Sequence, residues 1–384
     1  MSVYLHDIPL QDALSRLENE LEVAGIWKVI GSERIPVDEE AIGRVLAEPV
    51  WAKLSSPHYH ASAMDGFAVV AADTMGAQPA SPITLMLPEK AAYVDTGDPL
   101  PIWANAVIPI ENTEPLDETG KNNISSPRSP ASIRIRSAVT PWSHVRPMGE
   151  DIVATELVLP AGQVIRPVDL GAIAACGQIE IEVIRRPKVA ILPTGTELVP
   201  VGQPVKSGDI IEYNSIVLAG QIKTWGGEPH RYPIVIDDYE QIKATVTQAA
   251  RDSDLVLLNA GSSAGSEDFS SAVIDSLGKV FVHGVAVRPG HPVIIGLIKV
   301  SDPDDPDKIK QVPVIGVPGY PVSAALTGEI FIEPIIAKWL GREPFHPIVV
   351  EAALTRKITS PAGDDDYMRV AVGEVGDKLL AAPL

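Results

Sequence analysis

The chain has 384 residues, of which 45% are hydrophobic, and it carries a formal net charge of −19. This length suggests about two to four domains of roughly 100–150 residues each. The apolar content is high enough to build a sizeable core and argues against intrinsic disorder. So acidic a chain is poorly suited to wrapping nucleic acid or lying on an anionic membrane. An anionic ligand must therefore be held locally, by helix N-termini, backbone N–H groups and a few cations.

Cysteine usage and the N-terminal sequence bear on the compartment. Cys176 is the one cysteine of the sequence, which excludes an intrachain disulfide and a cysteine metal cluster. Residues 1–23 have no basic start and no continuous apolar run, so we expect neither a signal peptide nor a membrane span. The sequence therefore predicts a cytoplasmic protein without nucleic-acid or membrane partners.

The N-terminal half predicts one helix followed mainly by β structure. Leucines recur at helical spacing from Leu10 to Leu21, which predicts an amphipathic helix within residues 1–27 that packs on the body of the protein. Residues 56–145 are rich in Pro and Ser with short β-like runs, and they predict a small inserted β domain. The flanking stretches 28–55 and 146–185 are expected to form one layer on either side of this insert.

Residues 186–340 predict a parallel α/β domain. Four apolar β runs each end in a turn-prone or acidic loop, and helical stretches follow them. The runs are residues 188–193, 232–236, 254–259 and 312–317. Repeated strand, loop and helix indicate a parallel sheet with helices on both faces, a three-layer arrangement. Ligands in such folds bind at the carboxyl ends of the strands, so we expect the four loops to converge on one site.

The last segment, residues 341–384, predicts a C-terminal β domain. Its three or so short alternating runs are few for an independent sheet, which needs more strands to protect its edges. We therefore expect this domain to be truncated in the sequence.

Acids and glycines concentrate in the loops of the predicted sheet. The acids are Glu197, Asp237, Asp238, Glu267 and Asp268. Oxygen ligands beside glycine-rich turns suit a hard cation such as Mg²⁺ that holds a phosphate. Any single loop is better explained as an ordinary solvated turn, whereas four loops at one sheet edge favour a ligand site. The sequence has no P-loop and no dinucleotide-binding fingerprint after a first strand, so a P-loop kinase and a dinucleotide oxidoreductase have no support.

Taken in order, the loop sequences resemble one family, the molybdopterin molybdenumtransferases of the MoeA and gephyrin E-domain type. The runs are ASAMDGFAV, TGDPLP, AVIPIENTE, RPMGEDI, RRPKVAILPTGTEL, IVIDD, AGSSAGSEDF, VRPGHPV and VPGYPVSA. They keep the family's order over nearly the whole chain. SAMDG, TGTEL and PG-x-PVSA are specific in combination.

The resemblance implies a homodimer of four-domain subunits. The domains would be an elongated linker domain, an inserted β domain, a molybdopterin-binding α/β domain and a C-terminal β domain. It implies Mg²⁺-dependent insertion of molybdate into adenylylated molybdopterin with release of AMP. The site would lie where the α/β domain of one subunit meets the β insert of the other. An adenylyltransferase and molybdoenzyme apoproteins are further partners that this role suggests.

The resemblance also assigns residues. The catalytic positions are Asp65, Glu197, Asp237 and Asp268, of which the last three would bind the metal. The substrate-binding positions are Thr96, Asp151, Thr194, Gly195, Ser262, Ser263, Arg288, His291, Pro318 and Pro321. Asp65, arriving from the partner subunit, would orient molybdate or water.

The chain departs from the family at two of these loops. AGSSAGSED stands where the family usually has GGVSVGEYD, so Ala260 replaces a glycine and an acid shifts to Glu267. PGYPVS stands where PGNPVS is usual, so Tyr320 replaces an asparagine.

The phosphate-facing cations differ as well. Arg288 and His291 stand where the family has two lysines, and Gly284 takes a third lysine position. Arginine is a planar fork rather than a point charge, and histidine is charged only part of the time near neutral pH. Another metal oxyanion such as tungstate, altered nucleotide handling, or compensation by Arg186 or Lys188 all stay open.

Two other functions remain alternatives. One is a molybdopterin adenylyltransferase-like enzyme, although such an enzyme would not need the long N-terminal half or the SAMDG loop. The other is a non-catalytic, E-domain-like scaffold or binding protein, which the altered lysine positions favour slightly.

Overall fold

The computed structural model describes residues 7–122, 125–260, 266–303, 305 and 307–384, with the backbone alone described at 260 and 266–268. The chain divides into two compact units. One comprises Met1–Glu33 with Ile184–Leu384, and the other Arg34–Val183. Within the described ranges, no helix is long and apolar enough to cross a membrane.

The first element is helix α1, Leu10–Val23, which belongs to the unit that contains the C-terminal half. Leu10, Leu17 and Leu21 are buried along one face, while the intervening charged residues are exposed except for Glu20, which is partly buried. The helical spacing of leucines therefore predicted this element correctly, because burial of that apolar stripe holds the helix on the unit.

The unit Arg34–Val183 is built from short antiparallel strands. They are β1 (Ser32–Pro36), β2 (Val50–Trp51), β3 (Ala61–Ser62), β4 (Gly66–Val69), β5 (Ile83–Met86), β6 (Ala91–Val94), β7 (Ala106–Pro109), β8 (Thr113–Leu116), β9 (Ser132–Ile135), β10 (Val145–Arg146), β11 (Leu157–Leu159) and β12 (Glu180–Ile184), with helix α2 (Pro167–Ala175) between the last two. Two three-stranded sheets, ordered β6-β4-β7 and β5-β9-β8, share a core around Phe67, Ile108 and Ile133. The flanking strands pair as β1-β12 and β2-β11 around a second core that includes Ile173.

The other unit alternates strands and helices. After α1 it contains β13 (Lys188–Thr194), β14 (Leu198–Val199), β15 (Ile210–Ile211), α3 (Asn214–Thr224), β16 (Glu228–Arg231), α4 (Tyr239–Asp252), β17 (Leu255–Ala260), α5 (Ser266–Leu277), β18 (Gly278–His283), β19 (Val287–Arg288), β20 (Ile294–Ser301), β21 (Ile309–Val317), α6 (Pro321–Thr327) and α7 (Glu333–Trp339), with a π-helical turn at Gly328–Ile332. The chain ends in β22 (Ala353–Leu354), β23 (Asp365–Asp366), β24 (Val370–Val375) and β25 (Lys378–Pro383). The last three-stranded sheet is ordered β22-β25-β24.

The central sheet of this unit is mixed rather than wholly parallel. Its order is β16-β13-β17-β21-β20-β18, and β20 runs antiparallel to both of its neighbours. The prediction of parallel strands is correct for β16, β13, β17 and β21. It is wrong for the edge formed by β20 and β18, where the pairing is antiparallel. The segment between β20 and β21 is too short for the crossover that parallel neighbours need, so these two strands pair as a hairpin.

One predicted strand is displaced along the chain. The apolar run 232–236 is not a strand, and β16 lies just before it at Glu228–Arg231. Val235 makes a single bridge to Thr194. Pro233 has no N–H to donate, so a ladder cannot continue through this run. Because β16 is an edge strand, it tolerates a proline and polar residues that no apolar pattern predicts.

Both faces of the sheet are covered by helices. Ala190 and Leu192 of β13 pack into the cluster formed with α4 and α5. Side chains alternate along a strand, so Val189 and Ile191 point to the opposite face, where α3 packs on β13. This double burial explains why the strands are continuous apolar runs.

The amino-terminal edge of the sheet is held by an ion pair. Arg185 Nη1 and Nη2 each lie 2.7 Å from a carboxylate oxygen of Asp254, and the Lys188 N–H donates to the same carboxylate at 2.8 Å. Burial alone would raise the pKa of Asp254, but these hydrogen bonds outweigh it and hold the pKa below its ordinary value. Burial lowers the pKa of Lys310, whose ammonium donates to the carbonyls of Arg251 and Ser253.

Arg185→Ala is expected to lower the free energy of unfolding by roughly 2 kcal/mol, because it leaves the Asp254 carboxylate buried without its main partner. The depressed pKa of Asp254 contributes stability that is present above the unfolded-state pKa and lost as pH falls through the folded-state value. The difference between wild type and variant should therefore shrink below about pH 4. Denaturant titrations at several pH values test this, with Arg186→Ala as the exposed neighbouring control. Equal stability of Arg185→Ala and wild type at pH 7 would contradict the assignment.

Candidate functional site

The turn after β13 carries the first group of predicted site residues. Thr194 ends the strand, and its buried hydroxyl donates to the carbonyl of Asn259 at 3.4 Å. The Gly195 N–H donates to the Val235 carbonyl at 3.1 Å, which ties the turn to the neighbouring loop. Gly195 has a φ of +154°, and a Cβ there would lie 3.0 Å from Glu197 Oε2. The positive φ favours glycine at this position, and the missing Cβ leaves room for the side chains of Glu197 and Leu198.

Asp237 is brought to the same turn. Its Oδ2 accepts from the Thr196 N–H at 3.2 Å and from the Thr196 hydroxyl at 3.4 Å. Asp237 immediately precedes Asp238, which caps α4 by accepting from the Gln241 N–H at 2.9 Å. The cap fixes where α4 begins and thereby fixes the position of Asp237.

Two carboxylate oxygens at this turn lack donors. Glu197 Oε1 and Asp237 Oδ1 are buried, and within the part of the chain that the structure describes neither atom has a hydrogen-bond partner. A buried, unpaired carboxylate oxygen is costly, and a divalent cation satisfies it. The donor set at this edge therefore fits a hard cation such as Mg²⁺.

A cavity of about 150 Å³ opens beside Glu197. Buried Asn259 forms part of its wall and donates to the carbonyls of Val317 and Pro318 at 3.3 Å each. Asn214 donates to the Gly319 carbonyl at 2.7 Å, so two amides hold the PGYP turn. Tyr320 stands at this cavity with 71% of its surface exposed.

The helix ends near the cavity differ in what they can bind. The N-terminus of α3 is already occupied, since Glu212 accepts from the N–H and hydroxyl of Ser215 at 2.8 and 2.7 Å. Pro321 is the first residue of α6 and supplies no N–H. An anionic ligand at this edge therefore depends on other donors and on cations.

Arg288 ends strand β19, and His291 lies on the loop that follows it, beside α6. Gly290 has a φ of +124°, and a Cβ placed there would approach Ser323 of α6 to 3.8 Å. His291 is exposed. The Arg288 Nε donates to Asp364 in a close ion pair, so this cation is shared with the C-terminal segment.

Compensation by Arg186 or Lys188 is excluded by position. Lys188 is the first residue of the seven-residue strand β13, and the candidate site follows its last residue. Such a strand spans about 20 Å, so both side chains belong to the opposite edge of the sheet.

The unit Arg34–Val183 gathers a second set of predicted residues. Asp65 Oδ1 accepts from the N–H and the hydroxyl of Thr96 at 2.8 and 2.7 Å, which joins the SAMDG and TGDPLP loops. These two hydrogen bonds, the hydroxyl first, hold the pKa of Asp65 below its ordinary value. Burial, with a hydrogen bond to Asp95, raises the pKa of the neighbouring Tyr93 to about 12.

The RPMGED loop is organised by its own arginine. Arg146 Nη2 binds both carboxylate oxygens of Asp151 at 2.9 and 2.8 Å, and its Nε binds Glu150 at 2.7 Å. The bonds to Glu150 and Asp151 raise the pKa of Arg146. The Asp151 carboxylate is thus already paired with a cation of its own loop.

His60 is a residue that the sequence reasoning missed. Its Nδ1 accepts from the Met148 N–H at 3.0 Å, and its carbonyl accepts from the Leu100 N–H at 2.8 Å. It therefore ties the RPMGED and TGDPLP loops to the segment leading into SAMDG. The sequence signal was its place at the start of HASAMDGFAV, but a lone histidine without metal spacing gave no reason to single it out.

The predicted residues thus fall into two groups. Thr194, Gly195, Glu197 and Asp237 share one turn, and Arg288, His291, Pro318 and Pro321 lie on the loops next to α6. Asp65, Thr96 and Asp151 belong to the unit Arg34–Val183. Ser262 and Ser263 lie outside the described residues, and for Asp268 the structure gives the backbone, in α5. Among described side chains there is no cluster of three or more metal-binding residues.

Comparison with known proteins defines the class. The MoeA N-terminal region (domain I and II) matches residues 8–177, and a probable molybdopterin binding domain matches residues 190–338. A crystal structure of a molybdopterin biosynthesis MoeA protein from Pyrococcus horikoshii aligns with a TM-score of 0.73 and 31% identity, over 99% of this chain and 90% of that one. The chain is therefore a multidomain α/β protein of molybdopterin biosynthesis.

Relatives with assigned names define the family within this class. Molybdopterin molybdenumtransferase 2 of Mycobacterium tuberculosis is 33% identical over 377 residues, covering 92% of this chain and 86% of the relative. The molybdopterin molybdenumtransferase of Bacillus subtilis is 30% identical over 362 residues, covering 90% and 80%. The chain belongs to the molybdopterin molybdenumtransferase family and is a transferase of molybdenum cofactor biosynthesis. The family resemblance of its loop sequences is thereby confirmed.

Thr96→Val is expected to raise the pKa of Asp65 towards its ordinary value, because it removes the hydroxyl donor and keeps the backbone N–H. Carboxyl carbon NMR shifts followed against pH measure this directly. Thr113→Val, whose hydroxyl donates to the Ile110 carbonyl, is a matched control that should leave Asp65 unchanged. An unaltered Asp65 titration in Thr96→Val would show that the hydroxyl bond does not stabilise the carboxylate.

Proposed function

We propose that the protein inserts molybdate into adenylylated molybdopterin with Mg²⁺-dependent release of AMP, acting as a homodimer in the cytoplasm. The observation that carries this proposal is the pair of buried oxygens of Glu197 and Asp237 at the carboxyl edge of the sheet, which have no hydrogen-bond partner among the described residues. Ligands of α/β domains bind at that edge, and a nucleotide held through a divalent cation matches these carboxylate oxygens.

Glu197, Asp237 and Asp268 would hold the cation. Mg²⁺ at this position supplies charge that offsets the negative charge developing as the phosphoanhydride bond to AMP breaks. The chain's own contribution is to keep two carboxylates rigid: Gly195 leaves room for Glu197, and Thr196 holds Asp237.

The loops around the cavity would bind the substrate. Thr194, Gly195 and the turn Pro318–Pro321 would line the nucleotide, with Ser262 and Ser263 as further donors. Arg288 and His291 would face phosphate. Of the three positions where the family has lysine, two carry other cations, Arg288 and His291, and the third is Gly284. Because the anion-facing charges differ from those of the family, the selectivity for molybdate over tungstate must be measured.

Asp65, Thr96 and Asp151 would complete the site from the partner subunit. Hydrogen bonds from Thr96 keep the pKa of Asp65 low, so its carboxylate is ionised at neutral pH and can accept but not donate a proton. In this role Asp65 orients water or a protonated oxygen of the oxyanion.

The domain boundaries proposed on this basis follow the family pattern. The helix-bearing segment is 1–27, the linker domain is 28–55 with 146–185, and the β insert is 56–145. The molybdopterin-binding domain is 186–340, and 341–384 forms the C-terminal β domain. An adenylyltransferase would supply the substrate, and molybdoenzyme apoproteins would receive the product.

A single-turnover experiment separates this function from its alternatives. The protein is mixed with adenylylated molybdopterin, Mg²⁺ and molybdate or tungstate. Release of AMP with metal inserted supports the proposal. Adenylation of added molybdopterin by ATP would instead identify an adenylyltransferase-like enzyme, and no turnover in either assay would favour a binding protein.

Glu197→Gln and Asp237→Asn are each expected to lower the rate of molybdate insertion on the order of 100-fold or more, because each removes an anionic ligand from the cation. Asp238→Asn is the matched control, since asparagine also caps helices and Asp238 is not assigned to the site. Full activity of Glu197→Gln at limiting Mg²⁺ would remove the proposed metal role.

Mixed dimers test whether the site is shared between subunits. Asp65→Asn and Glu197→Gln should each be inactive alone. After subunit exchange, half of the dimers are mixed and each mixed dimer has one intact site, so about a quarter of the wild-type rate should return. No recovery on exchange, with mixed dimers demonstrated by mass spectrometry, would place both residues in a site within one chain.

A further inference from the structure

The cation of the RPGHP loop is held by an acid from the far end of the chain. Arg288 Nε donates to Asp364 Oδ2, and the two side chains are 57% and 18% exposed. Arg288 contacts Asp364 through Nε alone. Within the described ranges the structure records no partner for the two Nη groups of Arg288. Among the contacts of the described residues, the Nη edge of the guanidinium, which can bind an oxyanion through two parallel hydrogen bonds, is therefore free for a ligand.

Asp364 is fixed beside this loop by backbone pairing. Strand β23 pairs in parallel with β19, so that Arg288 lies opposite Asp366. The Asp365 N–H donates to the Ala286 carbonyl at 2.8 Å, and the Tyr367 N–H donates to the Arg288 carbonyl at 2.7 Å. These two hydrogen bonds follow Asp364 directly in the chain, so they hold the backbone that carries its carboxylate beside Arg288.

The loop that carries Arg288 lies next to the candidate site. Gly290, two residues on, packs against Ser323, the third residue of α6. The same helix begins at Pro321, the last residue of the PGYP turn at the cavity. A guanidinium on this loop is therefore near the turn that would bind the substrate.

We propose that Asp364 is a positioning residue that orients Arg288 towards a phosphate of the substrate. The proposal rests on the proposed function, which makes Arg288 a phosphate-facing group. Arginine needs orientation because its strength lies in a planar, bidentate fork, whereas lysine is a point charge with rotatable donors. Substituting arginine at a lysine position thus creates a need for an acceptor on Nε, and Asp364 meets it. The ion pair removes part of the positive charge, but the gain in direction outweighs this loss.

A double-mutant cycle tests the coupling. Binding of AMP with Mg²⁺ to the full chain is measured by calorimetry for wild type, Asp364→Ala, Arg288→Lys and the double variant. Asp364→Ala should weaken binding on the order of fivefold in the wild-type background. In the Arg288→Lys background the same change should leave affinity unaltered or improve it, because an ammonium needs no orientation and loses a competing anion. Asp364→Asn keeps an acceptor oxygen and should retain most of the affinity.

Asp366→Ala is the matched control, since it removes an exposed acid two residues after Asp364, in strand β23. Melting temperatures of all variants report folding separately. Equal loss of affinity in both backgrounds would mean that Asp364 has a merely structural role and would overturn the proposal. Unchanged AMP binding in Arg288→Ala would also overturn it, and the proposed function would survive if wild type inserts molybdate. A wild type that neither binds AMP nor inserts molybdate would refute both.

Discussion

Two carboxylates desolvated at the carboxyl edge of a rigid sheet constrain the rest of the α/β unit. Within the described part of the chain, Glu197 Oε1 and Asp237 Oδ1 are buried without donors, which is unfavourable unless a cation compensates, so the fold must hold both side chains in place. It does so with a glycine that admits Glu197 and a threonine that binds Asp237. The buried strand β13 and the capped helix α4 fix these elements. Desolvation of carboxylate oxygens is thus found where the chemistry is proposed.

The acids proposed for the site have different hydrogen-bonding and charge environments. Asp65 accepts two hydrogen bonds from Thr96 and stays ionised, while Asp151 forms an ion pair with Arg146. Glu197 and Asp237 each have one buried oxygen without a hydrogen-bond partner among the described residues. These different surroundings fit the separate roles proposed for the carboxylates, as proton acceptor, loop organiser and cation ligand. Because the net charge of the chain is −19, an anionic substrate would have to be bound by a few well-oriented cations.

Sequence alone predicted what depends on local pattern. The apolar runs of β13 and β17, the leucine stripe of α1 and the TGTEL turn follow from periodicity and turn chemistry. The antiparallel β20 did not, because strand direction depends on connection length and pairing. Hydropathy predicted a strand at residues 232–236, but Pro233 has no N–H to donate and the strand ladder ends before it. The pair between Arg288 and Asp364 joins residues 76 apart, and no local pattern carries such a contact. His60 was missed for the same reason, since its role lies in long-range hydrogen bonds.

Anomalous scattering from crystals soaked in Mn²⁺ tests the central claim most directly. Mn²⁺ takes the oxygen ligands that Mg²⁺ prefers and can be located without ambiguity. A metal peak bonded to Glu197 and Asp237 is the predicted result. No peak at that turn, with both carboxylates instead accepting hydrogen bonds from protein groups, would contradict the account.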